Sequence, residues 1–397
     1  MSNKVLEGIR IVDLTTAYSA PFATMQLADF GAEVIKVENA AYGGDPARSW
    51  NPIYKGWSVQ FFNMNRNKKS ITLNLKSEKG KEILFDLVKT ADVVVENFRP
   101  GVMKRLGIDY EVLRQVKPDI IMASLSGYGQ TGPYSQRGAY SNLAEALSGV
   151  MSLTGYPDGK PTGSGVAFGD SITGLFTALG IMYALFHKQR TGEGQYLEVA
   201  MSDAMMHMLM QAIVQYTMTG EEPGRIGCRD LSAYPYDLFE AKDGYCILGN
   251  TTVNKWDPFA EAIGHPELIN DPRFDTNEHR VENADELFVY INEWTKQRTR
   301  NEIEKIIADE YHQAYSPVLT VKEVIENEQY LARDMIVDME GPDVGKYKMQ
   351  GIPIKMMGTP GEVRTSAPVC GQDNEAILGE LGRTAEEIET LKAEGVI

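Results

Sequence analysis

The sequence predicts an α/β protein, with a doubly wound, Rossmann-like parallel sheet in a large domain and a smaller α+β domain after it. Three observations lead there. Short apolar runs alternate with helical patterns over the first 130 residues. Beyond Gly220 a hairpin signal and amphipathic helices take over. A chain of 397 residues is too long for one small core.

Ile9 to Leu14 is the first expected strand, and Glu33 to Glu38 the second. Ala91 to Glu96 and Asp119 to Leu125 are the third and fourth. Between them, Ser77 to Thr90 places Ile83, Leu84, Leu87 and Val88 on one helical face. No GxGxxG follows the first strand; Thr15 to Pro21 stands there, so no nicotinamide dinucleotide site is expected. The apolar run Ile172 to Phe186 is shorter than a membrane span and reads as a buried helix. Gln195 to Ala200 is a further strand, and the Met-rich helical segment Met201 to Met218 reads as adaptable core. Tyr236 to Ala241 and Tyr245 to Gly249 flank Lys242-Asp243-Gly244 as a hairpin. Helices are expected around Trp256 to Ile263, Ala284 to Lys296 and Asn301 to Glu310. A short strand at Gly351 to Lys355 and a last helix at Thr384 to Glu394 complete the chain. The expected boundaries are a large domain over 1–200, a linker over 201–224 and a small domain over 225–330.

The chain carries 39 Lys and Arg against 55 Asp and Glu, a net charge of -16. That balance argues against general nucleic-acid binding, and an anionic ligand would need a local basic patch. Cys228, Cys246 and Cys370 lie far apart, without a CxxC pair, and the five histidines are scattered. No metal site is expected, and a reducing cytoplasm is. Met1 to Arg10 has no apolar core, so no signal peptide or membrane association is expected.

Asp170 is the most informative residue. The glycine-rich run Gly163 to Gly169 ends in this carboxylate, and a long apolar helical stretch begins at once. That pattern exposes the carboxylate at a helix N-terminus, where N–H groups and the helix dipole favour its ionised form. An ionised, uncrowded carboxylate suits nucleophilic catalysis on an acyl group. The ordinary alternative is a helix N-cap, for which Asp is a favoured residue. Arg66, Lys68, Lys69, Arg99, Lys104 and Arg105 form a basic cluster near the Asn97 to Gly101 turn. It reads either as a phosphate site after a strand or as a solvated face.

Three blocks occur in a specific order. They are Ala20-Pro21 with Leu27 to Glu38; Asn63 to Ser70 with Glu96 to Gly107; and Ser126 to Tyr134, continuing through Arg137 and Tyr140 to Gly155. Together they resemble the class III coenzyme A transferases, the family of formyl-CoA:oxalate and carnitine CoA-transferases. The resemblance runs over nearly the whole chain and is strongest over residues 6–205. It implies Asp170 as catalytic residue. It implies coenzyme A contacts from Asn97 and Phe98, from Arg105, from the Lys68 to Leu73 segment including Lys69 and Leu73, and from Tyr140. The implied co-substrate is a coenzyme A thioester, with a small organic acid as acceptor and no tightly bound cofactor or metal. The implied partner is an identical chain, interlocked as a ring, with about 340–397 completing the large domain.

The implied chemistry is transfer of coenzyme A from an acyl-CoA thioester to a free carboxylic acid through covalent aspartyl intermediates, with backbone N–H groups beside Asp170 stabilising oxyanions. The chain departs from the pattern in places. Tyr18 stands where some members have Gln, Ser141 replaces the usual Asp, and Arg225 to Asp237 has only Gly227 where oxalate-type enzymes have consecutive glycines. An α-methylacyl-CoA racemase shares the implied fold but would need a His at Tyr140, and a phenol is a poor proton shuttle at neutral pH. A non-catalytic acyl-CoA-binding protein is the alternative from another class.

Overall fold

The computed structural model describes residues 4–249 and 255–397. It contains two compact units. One comprises Met1–Val150, Gly163–Ile213 and Glu328–Ile397, the other Met151–Thr162 and Val214–Asn327.

The first unit is built on a six-stranded sheet of β1 (Arg10–Asp13), β2 (Glu33–Glu38), β3 (Lys68–Thr72), β4 (Val93–Glu96), β5 (Ile121–Ser126) and β6 (Tyr196–Ala200). The spatial order is β3-β2-β1-β4-β5-β6, and every neighbouring pair is parallel. This is the doubly wound order, in which the winding reverses between β1 and β4. The chain leaves those two strands in opposite directions and opens a crevice at their carboxyl ends. Each of the five expected strands occurs, Glu33–Glu38 with the expected ends and the others with ends shifted by no more than two residues.

β3 was not expected, because Lys-Lys-Ser-Ile-Thr reads as polar. Its polar side chains other than Lys69 are buried, Lys68 and Ser70 against matching partners. Lys68 Nζ lies 3.0 Å from Asp13 Oδ2 and 2.9 Å from Asn65 Oδ1, and Ser70 Oγ donates to Glu38 Oε1 at 2.6 Å. The C-terminal segment covers the outer edge of β3. Asp373 and Asn374 accept from the amides of Ser70 and Thr72 at 2.8 Å. A strand that would otherwise expose its backbone is thereby closed.

Five helices of this unit matter below: α1 (Ser19–Asp29), α2 (Glu78–Thr90), α3 (Val102–Leu106), α4 (Ser141–Ser148) and α5 (Phe168–Thr191). Ser77 caps α2 by accepting from Gly80 N at 3.0 Å, and Ile83, Leu84, Leu87 and Val88 are its buried face. α5 corrects the expectation of a buried helix over Ile172 to Phe186. It is 24 residues long and, by length and composition alone, apolar enough to cross a membrane. Only one face is buried; Leu175, Leu179, Tyr183 and Phe186 are 43–65% exposed along another.

Residues 201–224, expected as a linker, hold helices Met201–His207 and Gln211–Thr219. The strand expected at Gly351 to Lys355 is irregular chain, and the strands lie just before it, as the hairpin Ile336–Gly341 and Gly345–Gln350.

The second unit holds a three-stranded antiparallel sheet. Tyr236–Ala241 and Gly244–Gly249 form the expected hairpin, and Ala314–Pro317 pairs with the latter. Phe239, Trp256, Phe259, Leu287 and Ile291 belong to its core.

Candidate active site

Asp170 enters its cavity from the first turn of α5, three residues beyond the N-cap, Ala167. Its side chain caps nothing, which removes the ordinary N-cap reading. The carboxylate accepts instead from the Ser19 hydroxyl at the start of α1. Two glycines make that meeting possible. A Cβ on Gly174 would stand 2.6 Å from Ser19 O, so only glycine lets α1 and α5 approach this closely. A Cβ on Gly169 would stand 3.1 Å from Ser141 O, where α4 passes beside the end of the glycine-rich run.

The electrostatics correct the expected preference for an ionised Asp170. Burial pushes its carboxyl above the ordinary range, the Ser19 hydrogen bond pulls it down, and the Glu145 carboxylate pushes it up again. Desolvation outweighs the favourable helix end. The oxyanion expectation also changes. Gly169 N donates to Ser141 Oγ at 3.0 Å and Ser171 N to Ala167 O at 2.9 Å, so the amides on either side of Asp170 are already engaged.

The cavity in front of Asp170 has a volume of about 660 Å³, an ordinary size for a ligand pocket. Its walls come from the crevice between β1 and β4. Thr16 to Ser19 line it on one side and Asn97 to Pro100 on the other, with Tyr140 and Ser141 completing it. Asn97 clasps the two lips together, because its Oδ1 accepts from Thr16 N at 2.8 Å and its Nδ2 donates to Thr16 O at 2.7 Å. The Thr15 to Ala17 loop is tied from beneath by buried Lys36, which reaches Thr15 O at 2.8 Å and Asp45 at 2.7 Å. The Phe98 amide is held by Glu96 Oε2 at 2.8 Å, and burial pushes that carboxyl up to about 7.

A second, apolar cleft of about 310 Å³ adjoins this one. Leu14, Val37, Leu73, Leu75 and Leu106 line it, and Thr16 and Phe98 line both. The structure thus brings together Asp170, Asn97, Phe98, Tyr140 and Leu73 along one path. Tyr140 is 76% exposed at its rim. Arg105 is exposed on α3 next to Leu106 and makes no ion pair among the described residues.

Lys69 does not join them: it faces Glu33 at 2.6 Å, on a separate cleft. Arg66 and Lys68 are neither phosphate ligands nor a solvated face. Arg66 pairs with Asp29 at 2.6 Å and Lys68 with Asp13 at 3.0 Å, both fully buried.

Sequence reasoning missed Ser19 and Glu145. Ser19 opens α1 just past the loop after β1, beside the Tyr18 that drew attention. Tyr18 lines the cavity and tilts against Phe22 with ring centroids 6.3 Å apart. For Glu145 the available signal was its i,i+4 spacing from Ser141. All three cysteines are free, and among the described residues no group of His, Cys, Asp and Glu is placed to hold a metal ion.

The chain is similar to known proteins over most of its length. The model of CoA-transferase family III matches residues 6–374. A succinyl-CoA–D-citramalate CoA-transferase of Chloroflexus aurantiacus is 36% identical over 99% of this chain and 98% of its own length. A formyl-CoA:oxalate CoA-transferase of Streptomyces coelicolor is 36% identical over the whole of both chains. The crystal structure of a CAIB/BAIF family protein from Brucella suis superposes with a TM-score of 0.86 at 34% identity, covering 96% of this chain and 100% of its own.

Proposed function

The chain belongs to CoA-transferase family III and moves coenzyme A between an acyl-CoA thioester and a carboxylate; on that premise we propose that Asp170 is the covalent nucleophile. The observation that carries the assignment is its carboxylate, held by Ser19 and by no helix amide, at the 660 Å³ cavity of the β1–β4 crevice.

The steps balance without water, metal or ATP. An Asp170 oxygen attacks the donor thioester carbonyl, the C–S bond breaks, and coenzyme A leaves as thiolate from a mixed anhydride. The thiolate then attacks the Asp170 γ-carbonyl, and the first acid departs as carboxylate, leaving an aspartyl thioester. An acceptor carboxylate attacks the same γ-carbonyl and frees the thiolate again. The thiolate takes the new acyl group and restores Asp170. One acyl exchange becomes several displacements with lower barriers.

Coenzyme A would lie along the path already described. Its nucleotide end fits the apolar cleft at Leu73 and Phe98, with Arg105 supplying charge at the rim, and its thioester end reaches past Asn97 and Tyr140 to Asp170. Two identical chains interlocked as rings complete the proposal. The apolar outer face of α5 supports it, because Leu175, Leu179, Tyr183 and Phe186 are the kind of surface that associates. A reducing cytoplasm suits the three free cysteines.

The test is trapping. The protein is incubated with an acyl-CoA donor and hydroxylamine, and the Asp170 peptide is weighed by mass spectrometry. A hydroxamate at Asp170, absent in Asp170→Ala together with coenzyme A exchange, is expected. Full exchange by Asp170→Ala would overturn the assignment.

A further inference from the structure

The nucleophile is flanked by two groups that act on it in opposite senses. Ser19 is 4% exposed, and its hydroxyl donates to Asp170 Oδ1. This fixes one carboxylate oxygen of a residue that lines the cavity. Glu145 lies behind, 1% exposed on α4, and no Lys or Arg pairs with it among the described residues. Its oxygens are used by the glycine-rich run. Glu145 Oε2 accepts from Ser164 N at 3.0 Å and Oε1 from Ser164 Oγ at 3.2 Å. Oε1 also accepts from Ser141 Oγ at 3.3 Å, and Ser141 Oγ in turn accepts from Gly169 N at 3.0 Å. One buried carboxylate therefore holds both ends of the run that delivers Asp170.

We propose that Ser19 and Glu145 are a matched pair of positioning residues, Ser19 setting the orientation of the Asp170 carboxylate and Glu145 bracing the backbone that carries it while adding a like charge behind it. The inference rests on Asp170 as nucleophile. A buried like charge favours the protonated acid, and a donor to the carboxylate favours the anion. The donor orients the carboxylate and the like charge makes it a stronger base, which favours its reactivity toward a thioester carbonyl. Other polar groups stand nearby. Arg99, Arg137, Tyr18 and Tyr140 line the cavity, and Asp203 and His207 lie on the helix packed against α5. Of these and Glu145, Glu145 is the charge that shifts Asp170.

The experiment measures kcat/KM for coenzyme A exchange against pH, which reports ionisations of the free enzyme. Ser19→Ala removes the donor. Its rate should fall on the order of 10- to 100-fold, the worth of one hydrogen bond to a charged group, and its acid limb should move to higher pH. Glu145→Gln keeps an acceptor for Ser164 but removes the charge, so its acid limb should move to lower pH. Displacement in opposite directions is the signature, since damage to the fold alone would lower both profiles without parting their limbs. Limbs that stay put, or move the same way, overturn the proposal. If Ser19→Ala melts early, Ser19→Cys carries the same test with a weak donor of similar size. Hydroxylamine trapping at Asp170 in each variant separates the two readings. A trapped Asp170 with unmoved limbs refutes the pairing alone, and loss of trapping in the wild type refutes the nucleophile itself.

Discussion

Replacing Glu96 by Gln should make stability less sensitive to alkali, by an amount the structure sets. Glu96 ends β4, is 3% exposed, and holds the Phe98 amide at the lip of the cavity. Burial raises its carboxyl from 4.5 to about 7, against weaker opposing hydrogen bonds from Ser124 and the Phe98 amide. The folded value lies above the unfolded one. Between pH 4.5 and 7 the unfolded chain has therefore lost this proton while the native chain keeps it, and stability falls as pH rises. At about 1.4 kcal/mol per unit, the wild type loses roughly 3 kcal/mol from this group by pH 8. Gln preserves the acceptor for Phe98 N and cannot ionise. Urea unfolding of both proteins at pH 5, 6, 7 and 8 gives the difference directly. The gap between variant and wild type should be smallest at pH 5 and widen by roughly 2.5 kcal/mol toward pH 8 in favour of the variant. A gap independent of pH would mean that Glu96 titrates as an ordinary surface carboxylate, and the argument from burial would fail.

Other outcomes follow from single contacts. Arg66→Met leaves Asp29 buried without its partner and should cost about 3–5 kcal/mol in urea unfolding, much of it recovered by adding Asp29→Leu. Gly174→Ala places a Cβ 2.6 Å from Ser19 O. It should cost about 1–3 kcal/mol and lower exchange activity by displacing Ser19 from Asp170, which thermal melts and a rate assay resolve. Arg105→Ala should weaken coenzyme A binding by about 1.5–3 kcal/mol in calorimetry at low salt, with little change in kcat; unchanged affinity would remove Arg105 from the site. Leu179→Arg puts a charge in the exposed apolar face of α5 and should hinder assembly of the proposed interlocked dimer, read in light scattering as monomer or aggregate in freshly refolded protein.

Much of the architecture is legible in the sequence because the sheet interior is apolar on both sides. Ile11-Val12 in β1 and Val93-Val94-Val95 in β4 are fully buried, and such runs identify parallel strands directly. β3 escaped for the opposite reason. Its Lys68 and Ser70 are buried through Asp13 and Glu38, residues remote in sequence, so its polarity concealed its place in the sheet. The same long-range pairing took Arg66 and Lys68 out of the basic cluster that the sequence offered as a phosphate site.

The candidate active site follows this division. Asp170 is readable because the glycine-rich run and the helix after it are contiguous. Beyond its burial, the groups that act on its carboxyl come from α1 and α4, 151 and 25 residues earlier, as a hydroxyl and a buried carboxylate. A local pattern predicts the helix dipole acting on Asp170, and the folded chain adds a desolvation that exceeds it. The glycines at 169 and 174 connect the two levels. Each looks like loop or helix punctuation in the sequence; at Gly174 the Ser19 carbonyl leaves no room for a Cβ, and at Gly169 the Ser141 backbone leaves only a tight fit. Positions where glycine interrupts an apolar helix beside a lone acid are therefore where a second segment should be sought, and here that search leads to Ser19 and Ser141.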